Sequence, residues 1–140
     1  TDRILEVGTG SGYLTACLAK LGGSVVSYEI HAALTDIARD NIEALGLGNV
    51  QLETGDIFAA ELPATSFDVI AVTGSLPKHS EYLEQLLAPG GRMFMVVGQD
   101  PAMEATLFTR VDTEHVSHTG LFETSIPALT APAAPKKFTF

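Results

Sequence analysis

The stretch Glu6-Val7-Gly8-Thr9-Gly10-Ser11-Gly12 constrains this chain more than any other. It follows Arg3-Ile4-Leu5-Glu6-Val7, a short β-rich run that reads as a buried strand. Behind it, Ser11 to Leu21 carries apolar residues at helical spacing (Leu14, Cys17, Leu18, Leu21) and stops at Gly22-Gly23, a helix C-terminal signal. Strand, glycine turn and helix in immediate succession open a βα unit. Glycines let the turn bend sharply and let a ligand approach the backbone. The free N–H groups and the positive end of the helix dipole face that ligand.

The alternation continues. Ser24 to Glu29 reads as a second strand, and His31 to Leu45 as a helix with Leu34, Ile37, Ala38, Ile42 and Leu45 on one face. Val50 to Thr54 is a third strand, closed by Gly55-Asp56. Phe67 to Thr73 is a fourth, apolar enough to be central in a sheet. Ser80 to Leu87 is a helix stopped by Pro89-Gly90-Gly91, and Arg92 to Val97 is a fifth strand. Ala105 to Val111 and His115 to Leu121, joined at Asp112-Thr113-Glu114, predict an antiparallel hairpin. The fold class expected is α/β: a doubly wound, Rossmann-like, mostly parallel sheet with a C-terminal antiparallel hairpin. Residues 1–140 form one domain, and the tail prolines Pro127, Pro132 and Pro135 exclude regular structure throughout it. The chain opens at Thr1 without a Met and enters a strand almost at once, so N-terminal residues are expected to be missing.

Composition removes several function classes. Hydrophobic residues make up 46% of the 140, enough for a sizeable core and against disorder. Lys+Arg 8 against Asp+Glu 17 leaves a net charge of −9, which repels nucleic-acid backbones and anionic membranes. No apolar run reaches the ~18 residues of a membrane span. The single cysteine, Cys17, excludes an internal disulfide, fits a reducing, cytoplasmic compartment and reads as a core filler. Nothing in the sequence specifies an oligomeric state.

A dinucleotide fingerprint spaces its glycines G-x-G-x-x-G. Here Gly8, Gly10 and Gly12 give G-x-G-x-G, followed by Tyr13. Glu29 closes the second strand 17 residues after Gly12, where a carboxylate can accept both hydroxyls of a ribose and disfavours a 2′-phosphate. Three strand ends then carry a glycine turn, Glu29 and Gly55-Asp56 in order, and ligands of open parallel sheets bind outside such ends. His31 either borders that ligand or simply starts its helix. His79, His115 and His118 lack metal-ligand grouping, so no metal is expected. Lys136-Lys137 reads as solvated tail charge, and Met93, Met95 and Met103 as packing residues.

With Glu6 two positions before the first glycine, the loop resembles motif I of the class I S-adenosylmethionine-dependent methyltransferases. The resemblance implies S-adenosyl-L-methionine as cofactor, its amino-acid end held by Glu6, Gly8, Thr9, Gly10, Ser11 and Gly12. It further implies Glu29 and Ile30 at the ribose, Asp56 on the adenine amino group, Ile57 against the ring, and Thr73 toward the methyl-transfer point. Ser75 shares that last strand end.

Gly8-Thr9-Gly10-Ser11-Gly12-Tyr13, Phe67-Asp68-Val69-Ile70-Ala71-Val72-Thr73, Leu83 to Arg92 and Val97-Gly98 together resemble the protein-L-isoaspartate O-methyltransferase family, from Arg3 through Phe140. That family methylates the free α-carboxylate of isoaspartyl residues in damaged proteins or peptides. A carboxylate is already nucleophilic at neutral pH, so alignment and shielding can carry catalysis, and no catalytic residue is placed. The family's substrate-contacting Ser lies upstream of motif I, before this chain begins. Departures from its pattern fall at Gly55-Asp56-Ile57 (usually Gly-Asp-Gly), Thr73 to Pro77 (usually Ala-rich) and Val96-Val97-Gly98 (usually Pro-Val-Gly). The tail from Leu121 looks like that of a bacterial paralogue branch. Two alternatives stand beside this reading. One is a paralogue that keeps the cofactor pocket without isoaspartyl activity. The other is an NAD-linked oxidoreductase, against which the glycine spacing and Asp56 argue.

Overall fold

A computed structural model describes residues 1–129. Pro132, Pro135 and Lys136-Lys137 lie outside the described residues. In chain order the elements are β1 (Arg3–Val7), α1 (Tyr13–Leu21), β2 (Ser24–Glu29), α2 (Ala32–Ala44), β3 (Val50–Thr54), a 3-10 turn (Ile57–Ala59), β4 (Phe67–Leu76), α3 (Glu81–Leu86), β5 (Leu87–Gln99), β6 (Ala102–Arg110) and β7 (Val116–Thr124). The strands form one sheet ordered β3-β2-β1-β4-β5-β6-β7. β1 to β5 are parallel neighbours, whereas β6 and β7 are antiparallel.

The period of two along β1 separates two cores. Leu5 and Val7 join Ile70, Val72, Met93, Met95 and Phe108 beneath Leu83 and Leu86 of α3. Ile4 and Val25 pack with Ala19 of α1 on the opposite face. A sheet buried on both faces needs near-continuous apolar strands, which is what β1 and β4 supply. Each fully buried Leu, Ile, Met or Phe stabilises by about 1.5–3 kcal/mol. α3 is short but well started: Ser80 Oγ accepts from the Leu83 N–H at 3.2 Å, and Glu81 and Glu84 lie in its first turn.

Four expectations are corrected. The buried face of α1 is Thr15, Ala16 and Ala19, while Leu14 and Leu21 are exposed and Cys17 is only partly buried. Thr15 must reach the buried Glu6, and small residues bring the helix close enough. On α2 the buried residues are Thr35, Ala38 and Ile42, with Ile37 and Leu45 exposed. β4 runs on to Leu76 because its end pairs with β5 again after a register shift (Ser75 with Val96, Leu76 with Val97), and a later segment pairs with Ser75 from the other side: the Ser75 N–H donates to Pro127 O and the Leu129 N–H to Ser75 O, each at 3.0 Å. β5 begins at Leu87 and turns directly into β6, so the antiparallel region is one pairing wider than the terminal hairpin.

Candidate functional site

The sheet order sets the carboxyl ends of β3, β2, β1 and β4 side by side. β1 delivers the glycine loop, in which Gly8, Gly10 and Gly12 have φ of +98°, +56° and +87°. Such values strain any residue with a Cβ. The loop is held from both neighbouring strands. The Gly8 and Thr9 N–H groups donate to Tyr28 O at 2.9 and 3.3 Å. From β4, Thr73 Oγ1 donates to Gly8 O at 2.7 Å and lies 3.0 Å from Val7 O. A Cβ on Gly8 would overlap that hydroxyl, whereas one on Gly10 would meet nothing within 4 Å. Gly10 therefore faces open space. Gly12 serves packing instead: its Cβ would stand 3.1 Å from that of Ala38, so it permits the close approach of α1 to α2.

β2 contributes Glu29, 7% exposed. Its Oε2 accepts from the Gly10 N–H at 3.0 Å and its Oε1 from the His31 N–H at 3.1 Å. These charge-assisted bonds fix the loop and the start of α2 to one carboxylate. Ile30 follows, partly buried. The end of β3 is tied in by the Gly55 N–H, which donates to Glu29 O at 2.8 Å. Asp56 is partly buried and caps the 3-10 turn, Oδ1 accepting from the Phe58 N–H at 3.0 Å. Glycine loop, Glu29, Asp56 and Thr73 thus share one edge of the sheet.

Three predicted residues sit differently. Glu6 is fully buried beneath the loop and offers no surface to a ligand. Its Oε1 accepts from Thr15 Oγ1 and, at 2.6 Å, from Ser27 Oγ, and Ser27 Oγ lies 2.5 Å from Thr9 Oγ1. Burial pushes the Glu6 carboxyl above its usual range. The two hydroxyl bonds pull the other way, and the nearby charge of Glu29 adds to the rise. The cluster depends on the register of β1 and β2, which sets the inward Ser27 opposite Glu6. Ile57 is 3% exposed and belongs to the main core, so its side chain is spent on packing. Ser11 turns toward the helices. Its carbonyl accepts from Asn41 Nδ2 at 2.9 Å, and with Tyr13 and Leu45 it lines a groove of about 400 Å³ between α1 and α2.

Among the described residues no helix is long and apolar enough to cross a membrane, and none of their His, Cys, Asp and Glu side chains group as metal ligands.

A glycine loop after β1 and an acid closing β2, on this strand order, define a Rossmann-like α/β domain of the class I methyltransferase type. Solved structures agree on that fold. One protein-L-isoaspartate O-methyltransferase superposes with a TM-score of 0.83 at 29% identity, covering 93% of this chain and 42% of the other. A Plasmodium falciparum protein assigned as a protein-L-isoaspartate O-methyltransferase, solved with S-adenosyl-L-homocysteine, reaches 0.81 at 24% identity, covering 92% and 66%; at that identity it shows the fold alone. The family model for protein-L-isoaspartate(D-aspartate) O-methyltransferase matches residues 1–130, and the chain belongs to that family. It is 47% identical over 104 residues to protein-L-isoaspartate O-methyltransferase 1 of Anaeromyxobacter sp. (strain Fw109-5), covering 74% of this chain and 49% of the relative. With the enzyme of the same name from Rhodopseudomonas palustris (strain HaA2), identity is 39% over 116 residues, covering 82% and 47%. The chain thus spans about half the length of these curated relatives.

Proposed function

We propose that this chain is the cofactor-binding domain of an S-adenosyl-L-methionine-dependent protein carboxyl O-methyltransferase. Its acceptor is the carboxylate of isoaspartyl residues in damaged proteins or peptides, and its compartment is the cytoplasm. The observation that carries the reading is Gly10 clasped to Glu29, with the loop otherwise open at Gly10. The amino-acid end of the cofactor lies along Gly8 to Gly10, its ribose hydroxyls at Glu29 beside Ile30, and its adenine at Asp56. Glu6 and Ile57 act from behind, Glu6 by bracing the loop and Ile57 by fixing the segment that carries Asp56. When bound, the cofactor supplies an electrophilic methyl group on a sulfonium. The chain's own share is to pre-form the loop, so that binding does not cost the ordering of a flexible glycine turn, and to hold Thr73 at the adjacent strand end.

Calorimetry with S-adenosyl-L-homocysteine tests this. Gly10→Val should block the ligand, since its Cβ meets no other residue within 4 Å, at the cost of backbone strain at φ +56° that far-UV circular dichroism of the variant controls for, and Glu29→Ala should weaken binding by at least about tenfold through the loss of a charged acceptor. Absence of binding by the full-length protein would reject the reading.

A further inference from the structure

A second cavity lies at the ends of β4 and β5. After β7 the chain crosses back over the carboxyl ends of β4 and β5 as a strap, Ser125 to Leu129. The strap pairs with Ser75 through the two backbone bonds already described, and Ser75 Oγ reaches Ile126 O at 3.4 Å. Leu129 sits between the loop and β4, its Cδ2 3.6 Å from where a Cβ on Gly8 would stand and 2.7 Å from one on Gly74. Beside the strap, Ser75, Gly98, Asp100, Met103, Ser125 and Ile126 line a cleft of about 410 Å³. That is within the roughly 300–1,000 Å³ of small-ligand sites. Ser75 is 2% exposed and stands two residues beyond Thr73 on β4, so one strand carries both the hydroxyl that holds the glycine loop and a wall of the cleft.

The lining has a single sign of charge. Asp100 is the only ionisable side chain among the described lining residues. It is exposed, and its Oδ1 accepts from Ser125 Oγ at 2.6 Å. That bond fixes the carboxylate at the rim and leaves Oδ2 open among the described residues. A net charge of −9 on the chain works in the same direction.

We infer that this cleft receives the residues flanking the methyl-accepting carboxylate, and that Asp100 makes it select basic neighbours over acidic ones. The inference rests on the function proposed above and deepens it. An acceptor brings its own carboxylate to the loop, so a second carboxylate beside it would face Asp100 as a like charge. A lysine or arginine there would instead meet a fixed acceptor. An exposed pair of this kind is modest and weakens with salt, which is the signature of a specificity determinant rather than of a catalytic residue.

The test uses the full-length protein, radiolabelled S-adenosyl-L-methionine, and two isoaspartyl peptides that differ only in carrying lysine or glutamate on both sides of the isoaspartate. The expected result is a kcat/KM about fivefold or more higher for the lysine peptide at low ionic strength, shrinking at high ionic strength. Asp100→Asn should bring the ratio below about twofold without lowering transfer to a peptide flanked by alanines. Asp100→Ser serves as a second variant should the first fail to fold. Equal kcat/KM for the two peptides in the wild type, or an unchanged ratio in a folded Asp100 variant, overturns the assignment and leaves the acceptor reading standing. Transfer to neither peptide in the wild type sinks the acceptor reading and the cleft assignment with it.

Discussion

Gly8 and Thr73 are coupled in a way that can be measured. At φ +98°, an alanine at position 8 carries backbone strain of about 1–3 kcal/mol. Its Cβ also overlaps Thr73 Oγ1, so the hydroxyl must turn away and lose its bonds to the Gly8 and Val7 carbonyls. That loss adds about 0.5–1.5 kcal/mol. Gly8→Ala should therefore destabilise by about 1.5–4.5 kcal/mol in all. Thr73→Ala alone removes the same bonds and should cost about 1 kcal/mol. The Thr73 Cβ itself stands 3.5 Å from the new methyl, an ordinary contact, so truncation to alanine relieves the overlap. The double variant should then be no worse than Gly8→Ala, with a coupling of about 1 kcal/mol in a denaturant-unfolding cycle. Strict additivity to within about 0.3 kcal/mol would refute the claim that this hydroxyl fills the space a Cβ needs.

Two further predictions follow from buried polar groups. Because burial raises the Glu6 carboxyl, the folded state holds its proton more tightly than the unfolded chain. Relative to Glu6→Gln, wild-type stability should fall as pH climbs from the ordinary carboxylate range through the raised value, and a rising difference across that window would be the wrong sign. Arg110 is buried and donates to Glu84 O at 2.6 Å, Thr113 O at 3.0 Å and Asp112 O at 3.3 Å, tying α3 to the β6–β7 turn. Arg110→Lys cannot span that fork, and thermal unfolding should show a loss of about 2–3 kcal/mol; a loss under about 0.5 kcal/mol would mean the three bonds are not maintained in solution.

The sequence exposed the sheet because strand periodicity and glycine placement are local. A run such as Ile70 to Val72 has no other way to bury itself, and Gly22-Gly23 ends α1 where the reading placed it. Helix faces were less legible. The pattern Leu14, Cys17, Leu18, Leu21 looked like the buried stripe, yet Thr15, Ala16 and Ala19 face the sheet. The decisive term there is a long-range one, the need of Glu6 for hydroxyl partners from α1 and β2. No periodicity records a demand that arises between residues nine and 21 positions apart. The same limit applies to the site. Glu29 and Asp56 were findable as acids ending strands, whereas the bracing role of Glu6 follows only once β1 and β2 are in register.

The family departures acquire a common cause once the strap is in place. Gly74 stands where Leu129 crosses, and any Cβ there would lie 3.0 Å from the Leu129 nitrogen. Ser75 holds the strap with its N–H and carbonyl. Val96 packs with Met103 and Ala105 against Ile126. Three of the residues that break the pattern, Gly74 and Ser75 near the end of β4 and Val96 in β5, thus touch the segment beside the Asp100 cleft. On the cofactor side the departures are Ile57, whose side chain is committed to the core, and Thr73, whose hydroxyl holds the glycine loop. On the reading proposed here, the changes alter which acceptor reaches the methyl group and leave the machinery that holds the cofactor intact.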